Sequence, residues 1–120
     1  MARARIADDV GNAAVRAALA PDAPRAETAT AVRYLLQRLA ERSEGNSVEV
    51  RVPPFGAVQC IRGPRHTRGT PPNVVEMAPP VWLALATGQR GWADAAGSGD
   101  VRASGSRADL GEHLPVWWPR

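Results

Sequence analysis

Apolar residues recur at helical spacing over residues 6–19, where Ile6, Val10, Ala14 and Ala17 share one face. This predicts a short helix with a small docking stripe. The run Pro21-Asp22-Ala23-Pro24 breaks it, and Pro24 suits the first turn of a second helix. That helix runs to about Ser43. Ala29, Val32, Leu36 and Leu39 form its stripe, widened by Leu35 and Ala40, while Arg25, Arg33, Gln37, Glu41 and Arg42 face away. The period then changes to two. Val48, Val50 and Val52 alternate with Ser47, Glu49 and Arg51, which predicts a strand with one wet face. Pro53-Pro54-Phe55-Gly56 has the length of a hairpin turn. Residues 57–62 are the return strand, and their weaker alternation predicts cover on both faces.

Asn73 to Met77 reads as a third strand, reached by a connection over 63–72 that is long for a plain hairpin. Pro79-Pro80 opens a third helix through Thr87, with Gly88 placed to terminate it. Residues 91–96 predict a short fourth helix, Gly97-Ser98-Gly99 a turn, and 100–104 a fourth strand. Ser106-Arg107-Ala108-Asp109 has the form of a capping box, which predicts a last helix over 107–113. Leu114 to Trp118 closes the chain as an apolar tail. Helices flanking mostly antiparallel strands give an α+β fold with the helices on one face of the sheet. The length, 120 residues, fits one domain, with 1–22 as an accessory N-terminal helix and 25–116 as the core domain.

Composition adds bounds. Apolar residues are 44% and charged residues 22%, an ordinary soluble globular balance. All 15 basic residues are arginine and the formal charge is +3. The pI of 10.4 follows from arginine not titrating in the usable range. A charge of +3 permits weak attraction to phosphates or an anionic membrane surface, but does not mark a specific nucleic-acid binder. One cysteine, Cys60, allows no internal disulfide and no cysteine-based zinc site, which fits a reducing cytoplasm. No apolar segment follows the charged N-terminus, so no secretory signal is expected, and no run reaches the length of a membrane span.

The densest chemistry lies in Gly63-Pro-Arg-His-Thr-Arg-Gly-Thr-Pro-Pro-Asn-Val-Val-Glu76. Arg65, His66 and Arg68 sit between two glycines, followed by a Pro-Pro pair and Asn73. The run is not a P-loop: its glycine spacing is one residue too long and it lacks lysine. Gly97-Ser98-Gly99 lacks the third glycine of a dinucleotide fingerprint and precedes a strand. Two histidines without a carboxylate at ligand spacing predict no metal site. Cys60 on a strand reads as a small buried hydrophobe rather than half of a thiol–imidazole pair with His66. His113 reads as a cation beside a helix end or as simply exposed, Asp8 and Asp9 as helix-surface or N-terminal charges, and Asp94 and Asp109 as helix-start charges. No nucleophile–base–orienter set assembles, so no catalytic residue and no cofactor is expected.

The pieces Leu85-Ala86-Thr87-Gly88, Ala95, Ser98-Gly99, Val101 and Gly105 resemble the C-terminal half of sterol carrier protein 2-like domains. The run from His66 to Glu76, with Phe55 to Ile61 before it, resembles a narrower actinobacterial branch of sterol-carrier-family domains. The resemblance covers about 25–116. It implies a five-stranded sheet with helices packed on it, enclosing an apolar cavity that takes lipid-like ligands without chemistry. In this chain four strands are counted, and an N-terminal helix is added. Under that implication Trp82, Leu85, Trp92, Val101 and Trp117 line the cavity, and Arg65, His66, Arg68 and Asn73 form a polar rim for an anionic head group. The plain reading of the same residues is core packing for the first set and a turn-shaped solvated loop for the second. A different class of function is an interaction module, in which the Arg65-His66-Arg68 loop and the Trp117-Trp118 pair contact a protein partner.

Overall fold

Two helices open the chain, and the sheet is threaded after them. In the computed structural model, which describes residues 4–63 and 73–119, α1 spans Asp8–Ala18 and α2 spans Arg25–Arg42. Strands β1 (Val48–Val52), β2 (Gly56–Cys60) and β3 (Val74–Met77) follow, then helices α3 (Pro79–Ala86) and α4 (Trp92–Gly97), and last β4 (Val101–Ser104). The described strands form one sheet in the order β2-β1-β3-β4. β1 is antiparallel to β2 and parallel to β3, and β3 is antiparallel to β4. The fold is therefore α+β as predicted, with a mixed four-stranded sheet whose one parallel pair is at its centre.

The alternation of β1 places Val48, Val50 and Val52 in the core, fully buried with Val32, Leu35 and Leu39 of α2 and Trp82 and Leu85 of α3. The opposite sheet face is wet and carries a Glu49–Arg51 ion pair at 2.6 Å. β2 departs from expectation. Ala57 and Gln59 are exposed and β2 lies at the sheet edge, so it is covered on one face only. Ser47 also departs. It was expected on the wet face and is fully buried.

α2 is the centre of the helical layer. Its buried set, which adds Ala31 and Tyr34 to the predicted stripe, is broad because α1, α3 and β2 all pack on it. The face of α1 is rotated from the predicted one: Gly11, Ala14 and Val15 are buried, whereas Val10 is 55% exposed. A Cβ at Gly11 would fall within the ring of Tyr34, so the two helices touch there because Gly11 has no side chain. The docking is close rather than light. Asp8 is not a free surface charge: its Oδ1 accepts the Tyr34 hydroxyl at 2.9 Å. Residues of α2 predicted to face away make tertiary contacts as well. Gln37 accepts the Ile6 N–H at 2.8 Å and donates to the Ile6 carbonyl at 2.9 Å.

The last predicted helix does not form; 107–113 is a series of turns. The Arg107 N–H donates to Asn73 Oδ1 at 2.8 Å, and Asp109 Oδ1 accepts the Gly111 N–H at 2.7 Å. These side-chain acceptors take the amides that a helix start would present, and the chain closes locally instead. The apolar tail then crosses the helix ends. The N–H groups of Val116 and Trp117 both donate to the Ala86 carbonyl, at 2.9 and 3.2 Å. Trp117 Nε1 donates to Asn12 Oδ1 at 2.9 Å, and Arg38 Nε to the Val116 carbonyl at 2.5 Å. The tail thus joins α1, α2 and α3 and seals the core.

Candidate functional site

The solvent side of α2 is the floor of an open groove of about 1080 Å³. Thr30, Arg33, Gln37, Ala40 and Glu41 lie along it at helical spacing, with Leu36 beneath them. One wall is the N-terminal segment, where Ile6, Ala7 and Val10 are apolar. The other is the β1–β2 hairpin, from Pro54 through Phe55 to Val58. Local chemistry holds each wall. The N-terminal segment is fixed by the reciprocal Ile6–Gln37 bonds and by Arg5, whose Nε meets Glu41 Oε2 at 2.7 Å. The hairpin is fixed by Arg33, whose Nε donates to the Phe55 carbonyl at 3.0 Å, and by the Arg25 guanidinium 5.0 Å over the Phe55 ring.

The charges in this groove are unequally committed. Arg5 is held by Glu41 and, at 3.4 Å, by Asp8, and these partners push its pKa further up. Arg33 uses only Nε; its terminal nitrogens meet no hydrogen-bond acceptor among the described residues. The groove therefore combines apolar surface with one guanidinium fork facing it, an arrangement that suits an amphipathic molecule with an acceptor group.

The predicted site residues lie elsewhere. Trp82, Leu85, Val101 and Trp117 are buried in the core, and Trp92 is half-buried against it. Trp82 Nε1 donates to the Val32 carbonyl at 3.3 Å, so its one polar group is satisfied internally. None of the five lines the groove. Asn73 is buried. Its Nδ2 donates to the Ser47 carbonyl at 2.7 Å and its Oδ1 accepts from Arg107, so it clips segments together rather than standing at a rim. Arg65, His66 and Arg68, and with them the Cys60–His66 pair, lie outside the described residues. Cys60 itself is buried, and burial pushes its thiol up to about 11, which suits a core residue.

The points at which the chain enters and leaves residues 64–72 form a tightly determined base. Ile61 has φ 66°, a conformation rare for a β-branched residue. It is held on both sides: its N–H donates to the Ser43 carbonyl at 2.7 Å, and its carbonyl accepts the Ser47 N–H at 3.1 Å and the Ser47 hydroxyl at 2.6 Å. Gly45 passes so close that a Cβ there would overlap the Ile61 carbonyl. Ser47 thus binds the chain both at Ile61 and at Asn73. Beside this base is a second cleft of about 620 Å³, where Ser43 Oγ and His113 Nδ1 are 2.8 Å apart with Arg62 alongside. His113 therefore ties the final turns to Ser43 at the C-terminal end of α2. No carboxylate orients its other ring nitrogen among the described residues, so the pair is not a catalytic triad.

Sequence reasoning missed the groove residues, although a signal was present. Thr30, Arg33, Gln37 and Ala40 recur at helical spacing, and Thr30 and Ala40 are small enough to leave a depression between the longer side chains. Among the described residues no group of three His, Cys, Asp or Glu is placed to hold a metal, and no helix is long and apolar enough to cross a membrane.

Comparison with curated proteins gives no match. The family described as "Bacterial SCP ortholog" matches residues 24–116, which takes in α2, the whole described sheet, α3, α4 and the tail to Val116. With that span covered and α1 alone added in front of it, the chain belongs to the bacterial SCP ortholog family.

Proposed function

We propose that this protein is a non-enzymatic carrier-type domain that binds a lipid or another apolar small molecule, and that the ligand lies in the groove on α2. The observation that carries this reading is the groove itself: about 1080 Å³, with apolar walls from Ile6, Val10, Phe55 and Val58 and the uncommitted end of Arg33 facing it. Membership of a sterol-carrier-type family supports the ligand class. Leu36 belongs both to the core and to the groove lining, so the sealed core formed by Trp82, Leu85, Val101 and Trp117 is what supports the floor from below. Arg65, His66 and Arg68 remain the proposed polar rim for an anionic group. The single buried Cys60 suits action in a reducing cytoplasm.

Native mass spectrometry of freshly purified protein tests this. A lipid-sized adduct is expected in the wild type and its loss in Val10→Asp, which puts a charge on an exposed wall position and spares the core. A ligand-free spectrum, together with an unchanged melting temperature across a panel of fatty acids and sterols, would refute it. The interaction-module reading is the weaker one, because Trp117 is buried and hydrogen-bonded; only Trp118, 49% exposed with the Arg42 guanidinium 5.0 Å over its ring, remains available from that pair.

A further inference from the structure

The two edges of the sheet differ in how they are guarded, and the difference points to a partner. The Glu49 N–H donates to the Asn73 carbonyl, so the backbone groups of Glu49 face β3. Successive residues alternate, so Val48, Val50 and Val52 face β2 and exchange bonds with Cys60, Val58 and Gly56, their register partners. The N–H and C=O groups of Ala57 and Gln59 therefore point outward. Both residues are exposed, and these backbone groups meet no partner among the described residues. Edges of this kind are normally blunted by charge, proline or a bulge. β2, Gly-Ala-Val-Gln-Cys, has none of these.

We propose that the β2 edge pairs with the β2 edge of a second copy of this chain, antiparallel across a twofold axis at Val58, giving one continuous eight-stranded sheet. Two features select a second copy. The outward-facing residues, Ala57 and Gln59, lie symmetrically about Val58, so each pairs with the other of the partner subunit and all four backbone groups are used in each copy. The facing side chains are uncharged: Ala57 meets the partner subunit's Gln59 on the wet face, and Val58 meets the partner subunit's Val58 on the groove side. The other edge fails this comparison. The same alternation makes Val101 and Ala103 the outward residues of β4, and a twofold there would set Arg102 against the partner subunit's Arg102. Like charges directly opposed disfavour pairing. The proposal concerns the strand edge and stands whether or not the groove holds a lipid.

Sedimentation equilibrium of the full chain, with two sets of variants, tests this. Wild type is expected at twice the monomer mass. Ala57→Lys/Gln59→Lys, which opposes lysines across the axis, is expected to halve that mass with the circular dichroism spectrum unchanged. Val58→Cys is expected to form an intermolecular disulfide on mild oxidation, since opposed residues of a non-hydrogen-bonded antiparallel pair lie about 4.5 Å apart at Cα. Cys60, buried, stays silent, and Arg102→Cys is the control expected not to cross-link. A monomeric wild type at every concentration, a dimer that survives both lysines, or cross-linking as efficient at 102 as at 58 would each overturn the proposal.

Discussion

Gly11→Ala is the most discriminating change for the way α1 is held. In an isolated helix this substitution is stabilising by about 1 kcal/mol, because glycine carries the larger backbone entropy. In this fold the new Cβ would overlap three ring carbons of Tyr34. Tyr34 cannot swing aside, since its ring is fully buried and its hydroxyl is bonded to Asp8. Either the ring is forced off its rotamer or α1 lifts. Overpacking of this kind costs about 1–3 kcal/mol. Lifting α1 also returns part of Val15 to water, and full burial of a valine is worth about 1.5–3 kcal/mol. Set against the propensity gain, the net expectation is destabilisation by about 2 kcal/mol. At this chain length that lowers the melting temperature by about 8 °C. Denaturant melts should show a lower midpoint at unchanged slope. Gly97→Ala is the matched control, because nothing lies within 4 Å of a Cβ there. If Gly11→Ala is as stable as Gly97→Ala, the helix crossing described here is wrong.

Asn73→Ala removes two hydrogen bonds, leaving the buried Ser47 carbonyl without its side-chain donor and the part-buried Arg107 N–H free to meet water; a loss of about 1–3 kcal/mol is expected, read by denaturant melts, with faster hydrogen exchange at the Arg107 amide. The Tyr34 hydroxyl, with Arg5 adding to it, holds the Asp8 carboxyl below its ordinary 3.8. Its contribution is therefore complete above 3.8 and is lost as pH falls through the lower folded value, so the stability difference between wild type and Asp8→Asn should shrink to nothing across that acid range. Cys60, buried with its thiol pushed up to about 11, should react with a thiol reagent at neutral pH only as the chain unfolds; fast labelling of the native protein would contradict its burial.

The helices and strands were largely legible because their periodicities are local properties of the chain. The departures share a cause: each depends on a neighbour remote in sequence. The buried face of α1 differs from its apolar spacing because Gly11 takes part in packing through the absence of a side chain, which an apolar count does not register. The buried face of α2 is broader than its stripe because one stripe serves a helix with one neighbour, and this helix has three. The capping pattern at 106–109 was genuine in form, but Asn73, 34 residues before Arg107, takes the amide that a helix would have ordered. β2 reads as covered because its alternation is weak, and a weakly alternating edge strand has the same pattern as a strand covered on both faces.

The candidate site shows the same division. Arg33, Gln37 and Glu41 were visible as a polar face of a helix, but a polar face becomes a groove only when walls rise beside it. Those walls come from Phe55, 22 residues from Arg33, and from Ile6, 31 residues from Gln37. Ser47 makes the point at a single atom. By alternation it belongs on the wet face of β1 with Glu49 and Arg51, and it is polar enough to sit there. Its hydroxyl instead holds a carbonyl 14 residues on and its own carbonyl receives an amide 26 residues on. A buried polar residue persists only when its partners are supplied, and the partners of Ser47 come from Ile61 and Asn73, so the alternation rule gives way at that position.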